Sequence, residues 1–206
     1  MKKSMTVTYE VDGGLYINMT NRCSNACTFC IRNNGNGAYG SDSLWLEHEP
    51  TVEEVLASVF ARDLSQYREI VFCGYGEPTY RLNDARTVAL KIKERHPNMK
   101  IRINTNGHSD LILGAKTAPL FADAFDTVSI SLNTPTAEEY VKICRPVFKE
   151  AAFDCLLAFA KEVKQYVPNV LFSVVRQTLT EEELRMCEKH AEDAGVILKV
   201  REYISG

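Results

Sequence analysis

Three cysteines, Cys23, Cys27 and Cys30, stand in a C-x3-C-x2-C run. Thiolates are soft ligands suited to iron–sulfur clusters, copper(I) or zinc. Three sulfurs this close in sequence can hold three corners of a cubane [4Fe–4S] cluster, which in its closed form takes four cysteines. The next cysteine is Cys73, 43 residues after Cys30, so one iron is expected to stay open to a ligand or substrate. The competing reading is zinc. Structural zinc sites take four donors, usually from two C-x2-4-C or C/H pairs. The sequence has no second pair, and His48 and His108 sit in no ligand spacing. A second stretch, Gly74-Tyr75-Gly76-Glu77-Pro78, follows a short apolar run. Its glycines let backbone carbonyls approach a ligand closely. Glu77 supplies negative charge there, and Pro78 stiffens the exit.

The elements that must position these residues read as an alternation of strands and helices. A first strand over 15–19 follows the turn signal Asp12-Gly13-Gly14 and delivers Thr20-Asn21-Arg22 and the cysteines to its carboxyl end. Parallel α/β folds place their chemistry at that end. Further strands are expected over 69–74, 100–104, 127–133, 170–175 and 197–201. Capping boxes beginning at Thr51, Thr136 and Thr180 open three helices. Another starts at Asn83 or Asp84 and ends before Pro97, a weak one covers about 110–124, and a long one about 148–166. Such alternation predicts a parallel sheet with helical crossovers. Six strands are too few for a closed eight-fold barrel. The expected fold is therefore α/β, an open partial (βα)6-type TIM barrel in a single domain over 1–206, with a lateral gap for a sizeable substrate.

Residues 31–50 differ in character. Rich in Asn, Gly and Ser, they are expected to form a flexible polar loop, or a lid or partner-docking segment beside the cysteines. They hold Trp45 and His48, and Arg32 at their start could face an anionic substrate. Cys73, Cys144, Cys155 and Cys187 fall on apolar faces and read as core residues.

Hydrophobic residues make up 45% of the chain and charged ones 25%, enough for one substantial core. The net charge of −3, with dispersed Lys and Arg, gives no basic stripe and argues against nucleic acid as the main partner. No apolar run reaches membrane-spanning length, and the basic Met1-Lys2-Lys3 is not followed by a signal-type segment. A cytoplasmic location without a disulfide framework is expected.

The cysteine run, with Phe29 as the aromatic of C-x3-C-x-aromatic-C, resembles the signature of radical S-adenosylmethionine (radical SAM) enzymes. Gly74-Tyr75-Gly76-Glu77-Pro78 resembles their G-G-E-P motif, with Tyr75 in place of a glycine. The resemblance implies that Cys23, Cys27 and Cys30 hold a catalytic [4Fe–4S] cluster whose open iron is chelated by S-adenosylmethionine. It implies that Tyr75, Gly76, Glu77 and Pro78 bind the methionine amino group and that Phe29 lies against the adenine. Asn104, Thr105 and Asn106 would lie near the ribose and adenine, and Ser131 and Asn133 near the ribose and carboxylate. Arg176 would meet a cofactor or substrate carboxylate. For Asn104 and Asn133 the plainer reading is strand-end hydrogen bonding, for Arg176 a solvated charge, and for His108 a surface side chain. Flavodoxin or ferredoxin would reduce the cluster. Cleavage would then give methionine and a 5′-deoxyadenosyl radical that takes hydrogen from a small-molecule or protein substrate.

A narrower resemblance, to the TatD-associated radical SAM family, rests on five stretches. These are residues 15–23, Cys30-Ile31-Arg32, residues 72–78, Cys144-Arg145-Pro146 and Arg201-Glu202-Tyr203. That family implies chemistry without a settled substrate. Two families of similar size are alternatives: 7-carboxy-7-deazaguanine synthase and the glycyl-radical-enzyme activases. A non-catalytic Fe–S or zinc-binding scaffold is the alternative of another class.

Overall fold

The computed structural model describes residues 2–202; Met1 and Tyr203 lie outside them. Strands β1 (Thr8–Val11), β2 (Gly14–Ile17), β3 (Glu69–Phe72), β4 (Lys100–Thr105), β5 (Thr127–Ser131), β6 (Asn169–Val175) and β7 (Ile197–Arg201) form one sheet in chain order. The pairs from β2 to β7 are parallel. The crossovers carry helices α1 (Val52–Phe60), α2 (Leu82–Arg95), α3 (Ser109–Leu113), α4 (Ala137–Cys144), α5 (Ala151–Val163) and α6 (Glu181–Ala194). This is the open partial α/β barrel.

The sheet has seven strands where six were expected. The additional one, β1, runs antiparallel to β2 with Val11 opposite Gly14. Asp12 and Gly13 between them have φ of 47° and 75°. Two positive φ values in a two-residue connection are the mark of a type I′ hairpin, so the turn signal belonged to a hairpin. The first parallel strand stops at Ile17; the Asn18 backbone N–H donates to the Val7 carbonyl at 2.8 Å, and its side-chain Nδ2 donates to the Leu44 carbonyl at 2.8 Å.

Alternation along the strands gives the sheet two chemically different faces. Leu15, Ile17, Ile70, Phe72, Ile103, Ile130 and Phe172 enter the main core with Val59, Ile92 and Phe159 from the helices. The opposite, concave face carries Tyr16, Arg102, Asn104, Ser129, Ser131, Ser173, Lys199 and Arg201 at alternating positions. Arg102 forks onto Glu69 at 3.0 and 2.7 Å and reaches Asn104 Oδ1 at 2.7 Å. Arg102, and beyond it Lys199, hold the Glu69 carboxyl below its usual range. Burial pushes the Cys73 thiol up while Arg102 and Arg201 oppose the rise. Charges on β7 thus act on β3 across the concave side.

Three local expectations are corrected. Residues 31–50 are not a loose polar loop: Ala38 and Leu44 pack with Tyr9, Val11 and Tyr75 in a second small core, and Leu46 is buried against Ser4 through a backbone bridge. Helix α2 follows a 3₁₀ turn over Pro78–Arg81, and Asp84 pairs with Arg81 at 2.7 Å instead of capping. Cys144 and Cys187 are buried, but Cys73 and Cys155 are only half-buried.

Candidate cluster and cofactor site

The cysteine loop is seated on the end of α4. Ile143 and Cys144 close that helix, so their carbonyls have no intrahelical donor. They accept instead from Thr28 N and Ala26 N, each at 3.0 Å, and Val147 N donates back to the Ser24 carbonyl at 2.9 Å. Arg145, left-handed at φ 48°, turns the chain to make that return contact. Cys144-Arg145-Pro146 is therefore the seat of the loop. Within the loop, Asn33 donates to the Cys27 carbonyl at 3.2 Å and Arg32 to the Asn25 carbonyl at 2.9 Å. Arg32 braces the loop, where an anionic substrate had been expected as its partner.

Cys23, Cys27 and Cys30 are half-buried. Burial pushes the Cys23 thiol up to about 12 and raises Cys30 as well. Cys27 is raised further, first by a hydrogen bond with Cys144 and then by burial. Metal cations reverse this balance and deprotonate coordinating thiols. Among the described residues, no three His, Cys, Asp or Glu side chains converge on a single-ion position. Three thiolates on one seated loop are the donor set that a cubane with one open iron takes.

The second motif is laid against the residues that lead into Cys23. A Cβ on Gly76 would stand 2.2 Å from the Thr20 carbonyl oxygen, and one on Gly74 2.1 Å from Asn18 Oδ1. Glu77 N donates to the Arg22 carbonyl at 2.7 Å. Close approach, then, demands both glycines. Tyr75 does not disturb the turn, because its side chain points away and is 3% exposed. Its hydroxyl donates to the Gly37 carbonyl at 2.9 Å, and its ring meets Trp45 edge-on at 5.2 Å. The residue that departs from the motif pins the 31–50 segment beside the cysteines.

Glu77 is 4% exposed. Its carboxylate accepts from Thr79 N (3.0 Å), Thr79 Oγ1 (2.7 Å), Thr105 Oγ1 (2.8 Å) and Asn106 N (2.7 Å). Burial raises its pKa, and the four donors act against that. The negative charge read from the sequence as a ligand contact is spent on tying the turn to the exit of β4. Thr105 and Asn106 are turned the same way, toward Glu77 and Ser24, and only Asn104 of this trio lies on the concave face.

His108, expected at the surface, has 0% exposure. Its Nδ1 meets Ser24 Oγ at 3.2 Å and its Nε2 meets the Tyr140 hydroxyl at 3.2 Å. Burial pulls its pKa down to about 4, so the imidazole is neutral. Lying just past a strand end in no apolar period, His108 offered only one cue, the preceding Asn-Gly turn.

Among the remaining candidates, Phe29 packs against the main core and Pro78 opens the 3₁₀ turn. Ser131 is half-buried at the end of β5. Asn133 is buried at φ 62°, with Nδ2 on Cys144 Sγ at 3.6 Å and Oδ1 without a partner. Arg176 donates to the Leu179 carbonyl at 3.1 Å and pairs with Glu181, so its charge is balanced within its own turn.

An open α/β barrel that carries a three-cysteine loop and a glycine turn at its strand ends is the architecture of radical SAM enzymes. The model of the radical SAM superfamily matches residues 17–190, and the chain belongs to that enzyme superfamily. Its cofactors are a [4Fe–4S] cluster and S-adenosylmethionine. The chain is 36% identical over 138 residues to GTP 3′,8-cyclase of Corynebacterium glutamicum, matching 64% of this chain and 33% of that protein. It is 27% identical over 133 residues to GTP 3′,8-cyclase of Paenarthrobacter nicotinovorans, matching 64% of this chain and 35% of that protein. The chain spans about a third of the length of these relatives. Among solved structures, Streptococcus suis SuiB bound to precursor peptide SuiA superposes with a TM-score of 0.69 at 17% identity, over 93% of this chain and 39% of that one. A radical SAM methyltransferase from Sphaerobacter thermophilus gives 0.62 at 15%, over 95% and 68%. At such identities the likeness is one of fold. Among the described residues no helix is long and apolar enough to cross a membrane.

Proposed function

We propose that residues 1–206 act as one radical SAM domain of the TatD-associated type, which cleaves S-adenosylmethionine reductively to abstract hydrogen from a substrate on the concave face. The observation that carries this reading is the glycine-only contact of the Gly76 turn with Thr20 and Arg22. It puts the second motif directly beside the entry to Cys23. When bound, the reduced cluster and S-adenosylmethionine supply a 5′-deoxyadenosyl radical.

The chain's own residues do the rest. Cys23, Cys27 and Cys30 hold the irons from a loop that α4 supports. With the Glu77 carboxylate engaged internally, backbone carbonyls of the Gly74–Pro78 turn receive the amino group of the methionine moiety. Phe29 meets the adenine, while Asn104, Ser131 and Asn133 border the ribose and carboxylate. Arg176 serves a carboxylate only if it leaves Glu181. Flavodoxin or ferredoxin delivers the electron. The concave hydroxyls and cations receive a small molecule or an exposed protein segment.

The test is anaerobic reconstitution with iron and sulfide, followed by dithionite and S-adenosylmethionine. Production of 5′-deoxyadenosine supports the enzyme. Its absence from a loaded, reduced sample favours a binding scaffold. A second reading, GTP 3′,8-cyclase-type chemistry, is favoured by the 36% identity over 138 residues. A rise in 5′-deoxyadenosine with consumption of added GTP would select it, and no response to GTP would leave the first reading in place.

A further inference from the structure

This inference rests on the proposed function and concerns which substrate the concave face takes. Two cations that the sequence offered as anion partners are used within the protein: Arg32 braces the cysteine loop and Arg176 pairs with Glu181. Arg102 is engaged as well, since both Glu69 oxygens accept its fork. The two cations on the concave side of β7 differ. Among the described residues, neither Lys199 nor Arg201 has a carboxylate within ion-pair distance. Lys199 is exposed and Arg201 half-buried. The Nε of Arg201 is nonetheless buried, and it has no hydrogen-bond partner. A buried charged donor without an acceptor is costly. Guanidinium donors match the geometry of carboxylates and phosphates, so an oxyanion would satisfy it.

The register fixes where these cations stand. Ser131 of β5 pairs with Ser173 of β6, Ser173 pairs with Lys199 of β7, and Val175 pairs with Arg201. Side chains paired in this way share a face of the sheet. Lys199 therefore lies two strand spacings, about 10 Å, from Ser131, a residue that the proposed function sets beside the ribose. Arg201 is one step further toward the carboxyl ends of the strands, where the cysteine loop and the glycine turn also lie. The Arg201 charge acts on the Cys73 thiol at the exit of β3 and on Tyr39 of the 31–50 segment, which agrees with its facing across the concave side.

We propose that Lys199 and Arg201, with Ser173 beside them, bind an oxyanion of the substrate, so that the molecule giving up hydrogen is small and carries a phosphate or a carboxylate. The guanidinium presents paired N–H donors to such a group, the ammonium adds a point charge, and the hydroxyl supplies a neutral donor. Glu69 does not cancel this attraction, because Arg102 already holds its carboxylate. Anchored at β7, the rest of the substrate lies along the sheet toward Ser131, and holding one end in this way orients the other for reaction.

The experiment titrates the cofactor-free full chain with inorganic pyrophosphate and, separately, with succinate, by calorimetry at constant ionic strength. Saturable binding is expected, weakened at least tenfold in Arg201→Gln and in Lys199→Gln. The Lys199 side chain is exposed, so its variant tests the site whether or not β7 tolerates the change at Arg201. Lys142→Gln, at an exposed position of α4, is the control for net charge and is expected to bind as wild type. Binding of pyrophosphate alone supports a phosphate, of succinate alone a carboxylate, and of both an oxyanion site that accepts either. No saturable binding of either probe overturns the inference. Wild-type affinity in Lys199→Gln, or equal weakening in Lys142→Gln, overturns it as well. In the reconstituted chain, a tenfold loss of S-adenosylmethionine affinity in both β7 variants, measured by equilibrium dialysis, would assign these cations to the cofactor and also overturn it. A wild-type chain that binds a probe but forms no 5′-deoxyadenosine when loaded and reduced defeats the proposed function instead.

Discussion

The Glu77 amide donates to the Arg22 carbonyl across 2.7 Å. The turn and the residue before the first cysteine are thus in direct backbone contact, and Gly76 lies in the tightest part of it. Gly76→Ala brings a Cβ to 2.2 Å from the Thr20 carbonyl oxygen, a clash that only backbone movement relieves. The expected result is a loss of affinity for S-adenosylmethionine of about tenfold or more, or at least ~1.4 kcal/mol, with iron content unchanged. Equilibrium dialysis against the loaded protein checks it.

Tyr75 gives a separate handle on the 31–50 segment. Tyr75→Phe removes the hydroxyl's bonds to Gly35 and Gly37 and is expected to cost about 1 kcal/mol. Tyr75→Ala also empties the space beside Trp45, at a cost of about 3–5 kcal/mol. Trp45 is the sole tryptophan, so its emission reports the site without labelling. A red shift in Tyr75→Ala, with Tyr75→Phe near wild type, is the expected pattern. Unfolding by urea measures the energies.

The contrast between these two glycine-turn neighbours shows what the sequence could and could not convey. Strand and helix periods, the capping residues Thr51 and Thr180, and the cysteine spacing are local signals, and the structure follows them. The short β1 lay hidden because its evidence is relational: Thr8–Val11 becomes a strand by pairing with Gly14–Ile17. Residues 31–50 looked loose because polarity dominates their composition, while their order comes from a few apolar residues, Ala38 and Leu44, that meet Tyr9, Val11 and Tyr75 from other elements. The internal bonds of Glu77 and the burial of His108 were hidden for the same reason. Their partners, Asn106 and Ser24 among them, come from distant segments, and no spacing rule records a tertiary hydrogen bond.

Acid sensitivity should trace to His108. Its pKa is about 4 in the folded chain against the ordinary 6.5. Between those values the unfolded chain binds a proton that the folded chain does not, so stability rises with pH. The contribution is complete above about pH 7.5 and is lost as pH falls through 6.5 toward 4, about 3 kcal/mol in all. In a 206-residue chain that corresponds to roughly 6–12 °C in melting temperature. Melting curves of the cofactor-free protein are expected to fall more steeply over this window for wild type than for His108→Asn, which has nothing to protonate there.

Cys144 tests the open iron. It is fully buried, accepts from Asn133 at 3.6 Å, and its backbone carbonyl accepts from Ala26 N in the cysteine loop. As a neighbour of the cluster and not a ligand, Cys144→Ser is expected to retain iron, sulfide and the brown absorbance. Cys27→Ala is expected to lose the colour and S-adenosylmethionine cleavage together. Equal loss of iron in both variants would make Cys144 a fourth ligand and close the position that the cofactor needs.

The seat under the cysteine loop has a consequence for repair. The Ile143 and Cys144 carbonyls take their donors from Ala26 and Thr28 by peptide contacts alone. The mould that receives the inorganic core is therefore shaped by polypeptide. A molecule stripped by oxygen is expected to be refilled in place, without passing through an unfolded chain.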